Sequence, residues 1–156
     1  MRASVLIALV VAGAAWAWWA RRRMQKRQLA WLVRAAGASA RRGAIITAMS
    51  QSLAAFVAVV VLAFSVWVEE AHRVFWLRMP LAVLVIAIYV PYAAVLAPVR
   101  VNVKNLRRTP QRRMVESGAR PDVADAIARA GRPFALIGSL IFLAAVTVLV
   151  WHHLRN

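Results

Sequence analysis

Apolar and polar positions alternate along this chain in long blocks rather than residue by residue. Four almost wholly apolar runs are separated by polar, arginine-rich segments, and they are Ser4–Ala20, Ile45–Val68, Pro80–Pro98 and Phe134–Trp151. A helix needs about 20 apolar residues to cross the hydrocarbon core of a bilayer. The blocks therefore predict an all-α integral membrane protein, a four-helix transmembrane bundle that forms one domain over residues 1–156.

The basic residues are distributed unevenly between the segments that connect these runs. Of the 21 Lys and Arg residues, 17 lie in the connections 21–44 and 99–133. Connections rich in Lys and Arg remain in the cytoplasm. We therefore expect both connections on the cytoplasmic side, and both termini on the outer (periplasmic or extracellular) side.

The net charge of +16 would suggest a nucleic-acid partner in a soluble protein. Here the basic residues flank the apolar runs, so membrane topology explains them first and we predict no nucleic-acid partner. Eight arginines near the membrane are candidate contacts for anionic lipid. They are Arg21, Arg22, Arg23, Arg27, Arg107, Arg108, Arg112 and Arg113.

The first run has a second interpretation, as a secretory signal peptide with Ala15-Trp16-Ala17 as its cleavage site. Cleavage there would leave the basic cluster Arg21–Arg27 just after the translocated end, which opposes export. We expect an uncleaved span, although the sequence leaves cleavage open.

The connection 21–44 contains a helical pattern of its own. Leu29, Leu32, Val33 and Ala36 follow the spacing of one helix face, with arginines on the opposite face. This predicts a short amphipathic helix that lies in the membrane surface, anchored by Trp31 and ended by Gly37 or Gly43. Alternatively, the first span continues into the cytoplasm as one long helix.

The connection 99–133 also predicts a short helix. Arg120-Pro121-Asp122 is typical of a helix start, and Gly131 is a candidate end. Val123 and Ile127 form an apolar stripe that would pack on the membrane or on a partner.

The third run contains prolines that affect its geometry. Pro80 suits a first helical turn, whereas Pro91 removes a backbone hydrogen bond and predicts a kink. Tyr89 and Tyr92 flank the kink and are candidate cofactor-binding residues, in a pocket for a quinone, lipid or pigment. Packing between helices is the alternative role of such a kink.

The outer surface collects the candidate metal ligands. In the expected orientation Glu69, His72, His152 and His153 lie there together, and imidazole with carboxylate suits Zn, Cu or Fe. A heme held by two histidines is a variant of this site. Alternatively these side chains are simply solvated and Glu69 pairs with Arg73, and we predict no cofactor.

Several functions are poorly supported by the sequence. None of the four runs contains a charged residue, which argues against proton- or ion-coupled transport. No phosphate-binding loop, hydrolase elbow or H-E-x-x-H motif occurs, so no catalytic residue is assigned.

We therefore expect a non-catalytic accessory or scaffold subunit of a larger complex in a bacterial cytoplasmic membrane. Its partners would be other membrane subunits or further copies of itself, together with anionic lipid. Two alternatives stay open. One is a redox or metal-handling protein that uses the outer Glu and His residues, and the other is a facilitator for a small neutral or lipidic substrate along Gln51 and Tyr89.

Overall fold

A computed structural model describes residues 19, 22–72, 75–97 and 109–154, with the side chains of 72, 75, 76 and 151–154 excepted. Within these ranges the chain is helical and has no strand. Its helices are α1 (22–36), α2 (Ala40–His72), α3 (Phe75–Leu84), α4 (Val90–Ala94), α5 (Pro110–Glu116) and α6 (Pro121–Leu154), and a π-helical turn, Val85–Tyr89, joins α3 to α4.

Three segments are long and apolar enough to cross a membrane: Ala40–Ala71, Leu77–Ala94 and Pro121–Val150. They contain nearly all of the second, third and fourth apolar runs, so the predictions that the chain is all-helical and that these three runs form helices long enough to span a membrane are confirmed. The first run, Ser4–Ala20, lies outside the described residues except for Trp19.

The three-helix bundle exposes many of its large apolar residues. Leu53, Phe56, Leu136 and Leu140 are all at least 65% exposed. The interior contains alanines and fully buried polar side chains such as Thr47 and Gln51, beside a few larger apolar residues such as Leu62 and Ile141. A water-soluble bundle would bury its large apolar residues, so this arrangement is expected for helices surrounded by lipid.

Close contacts establish how the helices run. Gly43 at the start of α2 lies against Ile127 of α6, and Gly131 of α6 lies against Leu96 just after α4. At the opposite end of the bundle, Glu69 of α2 forms an ion pair with Arg78 of α3. Hence α2 and α6 run in the same direction and α3–α4 runs against them.

The described parts of both basic connections therefore meet at one end of the bundle, here called the basic end. All described Lys and Arg residues except Arg78 lie there. Helix α1 and helix α5 cover this end by packing on the first turns of α6. Their shared core contains Leu29, Leu32, Leu96, Met114, Val123 and Ile127.

Helix α1 has the predicted apolar face, but the predicted environment of that face was wrong, and residues 20–21, where α1 would join the first run, lie outside the described residues. Leu29 and Leu32 are 3% and 1% exposed because they pack on α5, α6 and Leu96 rather than on lipid. Val123 and Ile127, predicted to contact the membrane or a partner, complete the same core. The short apolar faces of α1 and of the start of α6 thus pack against each other within one chain.

Two of the predicted helix ends, Gly43 and Gly131, were also wrong. Gly37 does end α1, with φ of +58°, but Gly43 lies inside α2. Helix α6 begins at Pro121 as predicted, yet continues through Gly131 and Pro133 to Leu154. A Cβ at Gly131 would lie 2.5 Å from Leu96 Cβ, so this glycine permits close packing rather than ending a helix.

The prolines of the third run act differently from expectation. Pro80 was predicted in a first helical turn, but α3 begins at Phe75 and places Pro80 inside the helix. Near Pro91 the backbone forms the π-helical turn, in which the Val90 N–H donates to the Val85 carbonyl five residues back. Such a turn is one of the recognised ways a helix adapts to a local disruption of its hydrogen bonds.

Candidate functional site

An open groove at the basic end brings aromatic and basic side chains together. It has a volume of about 580 Å³ and lies between α1 and α4. Its lining residues, here called the interfacial groove, are Trp19, Arg23, Met24, Arg27, Gln28, Trp31 and Tyr92.

The groove follows one face of α1. Arg23, Arg27 and Trp31 are spaced four residues apart on this helix, and Trp19 precedes them at the same spacing and lines the groove with them. Trp19 and Trp31, at the two ends of this row, are 54% and 46% exposed. Two cationic groups are thus held between two exposed indole rings.

The Arg23 side chain is positioned by an aromatic contact. Its guanidinium carbon lies 5.1 Å from the centre of the Trp19 ring. A cation–π contact of this kind contributes about 0.5–1 kcal/mol at an exposed site. Because guanidinium donors point along the plane of the group, a stacked arginine still presents its N–H groups to a ligand.

Gln28 forms the polar floor of the groove and joins α1 to α4. The residue is 7% exposed, and its Nε2 donates to the Tyr92 carbonyl at 3.5 Å. Its Oε1 is buried and has no hydrogen-bond partner. An unpaired buried acceptor costs about 1–3 kcal/mol, so a hydrogen-bond donor that reached this oxygen would remove that cost.

The groove lies at the end of a candidate membrane span. Tyr92 is two residues from the end of the candidate span Leu77–Ala94, and Trp19 belongs to the end of the first apolar run. Trp and Tyr are enriched at this depth because their rings are apolar and their polar edges need hydrogen bonds.

The predicted lipid-contacting arginines do not form one cluster. Arg23 and Arg27 line the interfacial groove, whereas Arg112 on α5 pairs with Glu116 at 3.4 Å. Arg22 and Arg113 are exposed at the basic end. The other three predicted positions, Arg21, Arg107 and Arg108, lie outside the described residues.

Tyr89 and Tyr92 flank the predicted kink but do not share a pocket. Tyr89 is 5% exposed in the core of the bundle, while Tyr92 lines the interfacial groove. The Tyr89 hydroxyl is buried and has no hydrogen-bond partner. Their assignment as cofactor-binding residues stays a prediction.

The bundle interior contains one further unpaired polar group. Gln51 is fully buried in α2, and neither atom of its amide has a hydrogen-bond partner. Thr47 and Ser65 are buried too, but each donates to a carbonyl of its own helix, at 2.8 Å and 2.7 Å. Gln51 therefore differs from Thr47 and Ser65 in that its buried amide is unpaired.

At the opposite end, Glu69 pairs with Arg78, and the suggested partner Arg73 lies outside the described residues. Helix α2 does extend to His72, but the side chains of His72, His152 and His153 are not described. Among the described side chains, no three His, Asp or Glu groups are placed to hold one metal ion. The outer metal site therefore stays a prediction.

Sequence reasoning missed Gln28 and the adjacent row of Trp19, Arg23, Arg27 and Trp31. The signal was present as the repeated spacing of four from Trp19 to Trp31. It was overlooked because the arginines were read as topology signals and Trp31 as an isolated anchor. The contribution of Tyr92 depends on how α4 packs against α1, which no local pattern indicates.

Fold and groove together define a class, a small helical membrane protein with a basic, compactly folded surface at one end. No protein-family model, no curated protein and no solved structure matches this chain.

Proposed function

We propose that this protein is a non-catalytic accessory or scaffold subunit of a larger complex in the cytoplasmic membrane of a bacterium. In this proposal Ser4–Ala20 is a fourth span, the basic end faces the cytoplasm and both termini face outward. The orientation follows from the unequal distribution of Lys and Arg over the connections.

The observation that carries the proposal is an apolar groove between α2 and α6, here called the α2/α6 groove. Its volume is about 650 Å³. Alanines and larger aliphatic or aromatic side chains line it, and none of them is polar. They are Ala55, Phe56, Val59, Leu62, Ala63, Val66, Ile137, Leu140, Ile141, Ala144 and Val148.

The shape of this groove suits a membrane helix of a partner protein. It extends from Ala55 to Val66 on α2, about 16 Å along a helix axis. Ala55, Ala63 and Ala144 keep its floor low, so another helix backbone can approach closely. Close van der Waals packing is the principal source of helix association in lipid, where no hydrophobic effect draws helices together.

The test fills the groove in the protein as it occurs in its native membrane. Ala63→Trp and Ala144→Trp would occupy the space of a partner helix, and we expect each to release the protein from a larger complex on native gel electrophoresis. Val57→Trp is the matched control because Val57 is 52% exposed and does not line the groove.

A single defined partner should co-migrate with the wild-type protein and with Val57→Trp, and be lost from both groove variants. A homo-oligomer with the same pattern would identify a second copy of this chain as the occupant. A wild-type protein that extracts from the native membrane as a stable monomer would overturn the proposal.

A second candidate function is a facilitator for a small neutral or lipidic substrate. The observation that favours it is the presence of unpaired polar atoms on Gln51 and Tyr89 inside the bundle. Substrate flux in proteoliposomes should then fall in the double variant Gln51→Leu/Tyr89→Phe. Unchanged flux for each substrate class tested would eliminate this candidate.

A further inference from the structure

We propose that the interfacial groove is a binding site for one anionic phospholipid whose headgroup carries a hydroxyl, of the phosphatidylglycerol type. The site is separate from the α2/α6 groove and does not depend on a protein partner.

Two arginines supply the contact for the phosphate. Arg23 and Arg27 are four residues apart on α1, and both line the groove. Guanidinium groups bind phosphate oxygens through paired N–H donors, and the contact of Arg23 with Trp19 limits the positions that its donors can take.

Gln28 supplies the second element of recognition and distinguishes the site from a general basic surface. Its Oε1 is buried without a partner, while its Nε2 is committed to the Tyr92 carbonyl. An amide oxygen only accepts hydrogen bonds, so a ligand that satisfies it must carry a donor. A glycerol headgroup places hydroxyl donors next to the phosphate.

Apolar side chains supply the third element, a surface for the upper part of the acyl chains. Trp19, Met24 and Trp31 line the groove beside the arginines, at the depth where Tyr92 approaches the end of its span. Free inorganic phosphate would use the arginines alone, whereas a phospholipid would use all three elements.

The experiment compares lipids that differ in one element at a time. The delipidated full-length protein in detergent is titrated by native mass spectrometry with phosphatidylglycerol, phosphatidylmethanol and phosphatidylcholine. Phosphatidylmethanol has the charge of phosphatidylglycerol but no hydroxyl. We expect a one-to-one complex with phosphatidylglycerol that is about fivefold tighter than with phosphatidylmethanol, the range of one hydrogen bond.

Variants of the groove test the residues. Arg23→Gln/Arg27→Gln should weaken phosphatidylglycerol binding by about thirtyfold, the effect of two basic residues at an anionic surface. Arg129→Gln/Arg132→Gln is the matched control because it removes the same charge from exposed positions at the same end. Gln28→Leu should abolish the preference for phosphatidylglycerol over phosphatidylmethanol while both lipids continue to bind.

Three results would overturn the proposal. One is equal weakening by the two double arginine variants, which would indicate a diffuse electrostatic effect. The second is equal binding of phosphatidylglycerol and phosphatidylmethanol to the wild-type protein, a comparison that needs no variant to fold. The third is displacement of the bound lipid by inorganic phosphate at an equal concentration of phosphate groups.

Discussion

Among the described residues, three glycines lie where the helices of this bundle approach each other closely. The distance from an added Cβ to its nearest neighbour rises from 2.5 Å at Gly131 to 2.8 Å at Gly138 and 3.0 Å at Gly43. The neighbours differ in kind as well. At Gly131 and Gly138 they are Cβ atoms of Leu96 and Ala93, which move only with their backbone, whereas at Gly43 it is Cγ1 of Ile127.

The loss of unfolding free energy on substitution to alanine should therefore differ between the three glycines. We expect Gly131→Ala to lower the free energy of unfolding most, by about 1–3 kcal/mol from overpacking, and Gly138→Ala to come next. Gly43→Ala should cost the least, because the Ile127 side chain can shift and alanine gains about 1 kcal/mol in helix propensity, which offsets the tight contact with Ala36 Cβ at 3.1 Å. Thermal unfolding in detergent measures this, with Ser139→Ala as the exposed control on α6. An order in which Gly43 is the most sensitive would contradict the packing account.

The ion pair between Glu69 and Arg78 predicts how substitution of either residue changes stability. Both side chains are largely buried, at 17% and 5% exposure. Arg78→Leu leaves Glu69 without its partner, and we expect a loss of about 3–5 kcal/mol in unfolding free energy. The double variant Glu69→Leu/Arg78→Leu should recover much of that loss because neither charge remains.

The control for this prediction is the exposed pair Arg112–Glu116, whose side chains are 51% and 61% exposed. Arg112→Leu should change stability by less than about 1 kcal/mol. If the double variant at Glu69 and Arg78 is no more stable than Arg78→Leu alone, the loss comes from packing rather than from an unpaired charge.

At the scale of elements, substitutions in α1 can show whether its apolar face contacts protein or lipid. Leu32 is 1% exposed in the shared core at the basic end, and its neighbour Trp31 is 46% exposed. Leu32→Ala should cost about 2–5 kcal/mol by leaving a cavity in that core. The detached helix should then be cut faster by trypsin after Lys26 or Arg34, while Trp31→Ala leaves the cleavage rate unchanged. Equal sensitivity of the two variants would favour a helix held by lipid.

The elements that the sequence predicted well are those with a strong periodic or compositional signal. The apolar blocks located the helices α2, α3–α4 and α6, and the spacing of Leu29, Leu32 and Ala36 located α1. Helix ends were predicted less well, since Gly43 and Gly131 resemble ends locally but are required by neighbouring helices. The interfacial groove was not predictable because Gln28 and Tyr92 are 64 residues apart and meet only through packing.

At the scale of the whole molecule, the spans and the basic end differ in where their large apolar residues lie. Large apolar residues cover the outside of the spans, whereas α1, α5 and the start of α6 bury theirs. A boundary between lipid and water at the level of Tyr92 accounts for both patterns at once. With such a boundary, the interfacial groove would lie where a lipid headgroup and its acyl chains meet different solvents.

The orientation of the molecule is testable because the chain has no cysteine. A single cysteine can be introduced at Ser117, in the exposed turn before α6, or at exposed Glu70 near the opposite end. With the basic end in the cytoplasm, a membrane-impermeant maleimide added to intact cells should label Glu70→Cys and leave Ser117→Cys unlabelled until the cells are lysed. Ala3→Cys should label from outside as well if Ser4–Ala20 is a fourth span. Labelling of Ser117→Cys in intact cells would contradict the proposed orientation. If Glu70→Cys is labelled but Ala3→Cys is not, the N-terminus does not face outward, while the basic end still faces the cytoplasm.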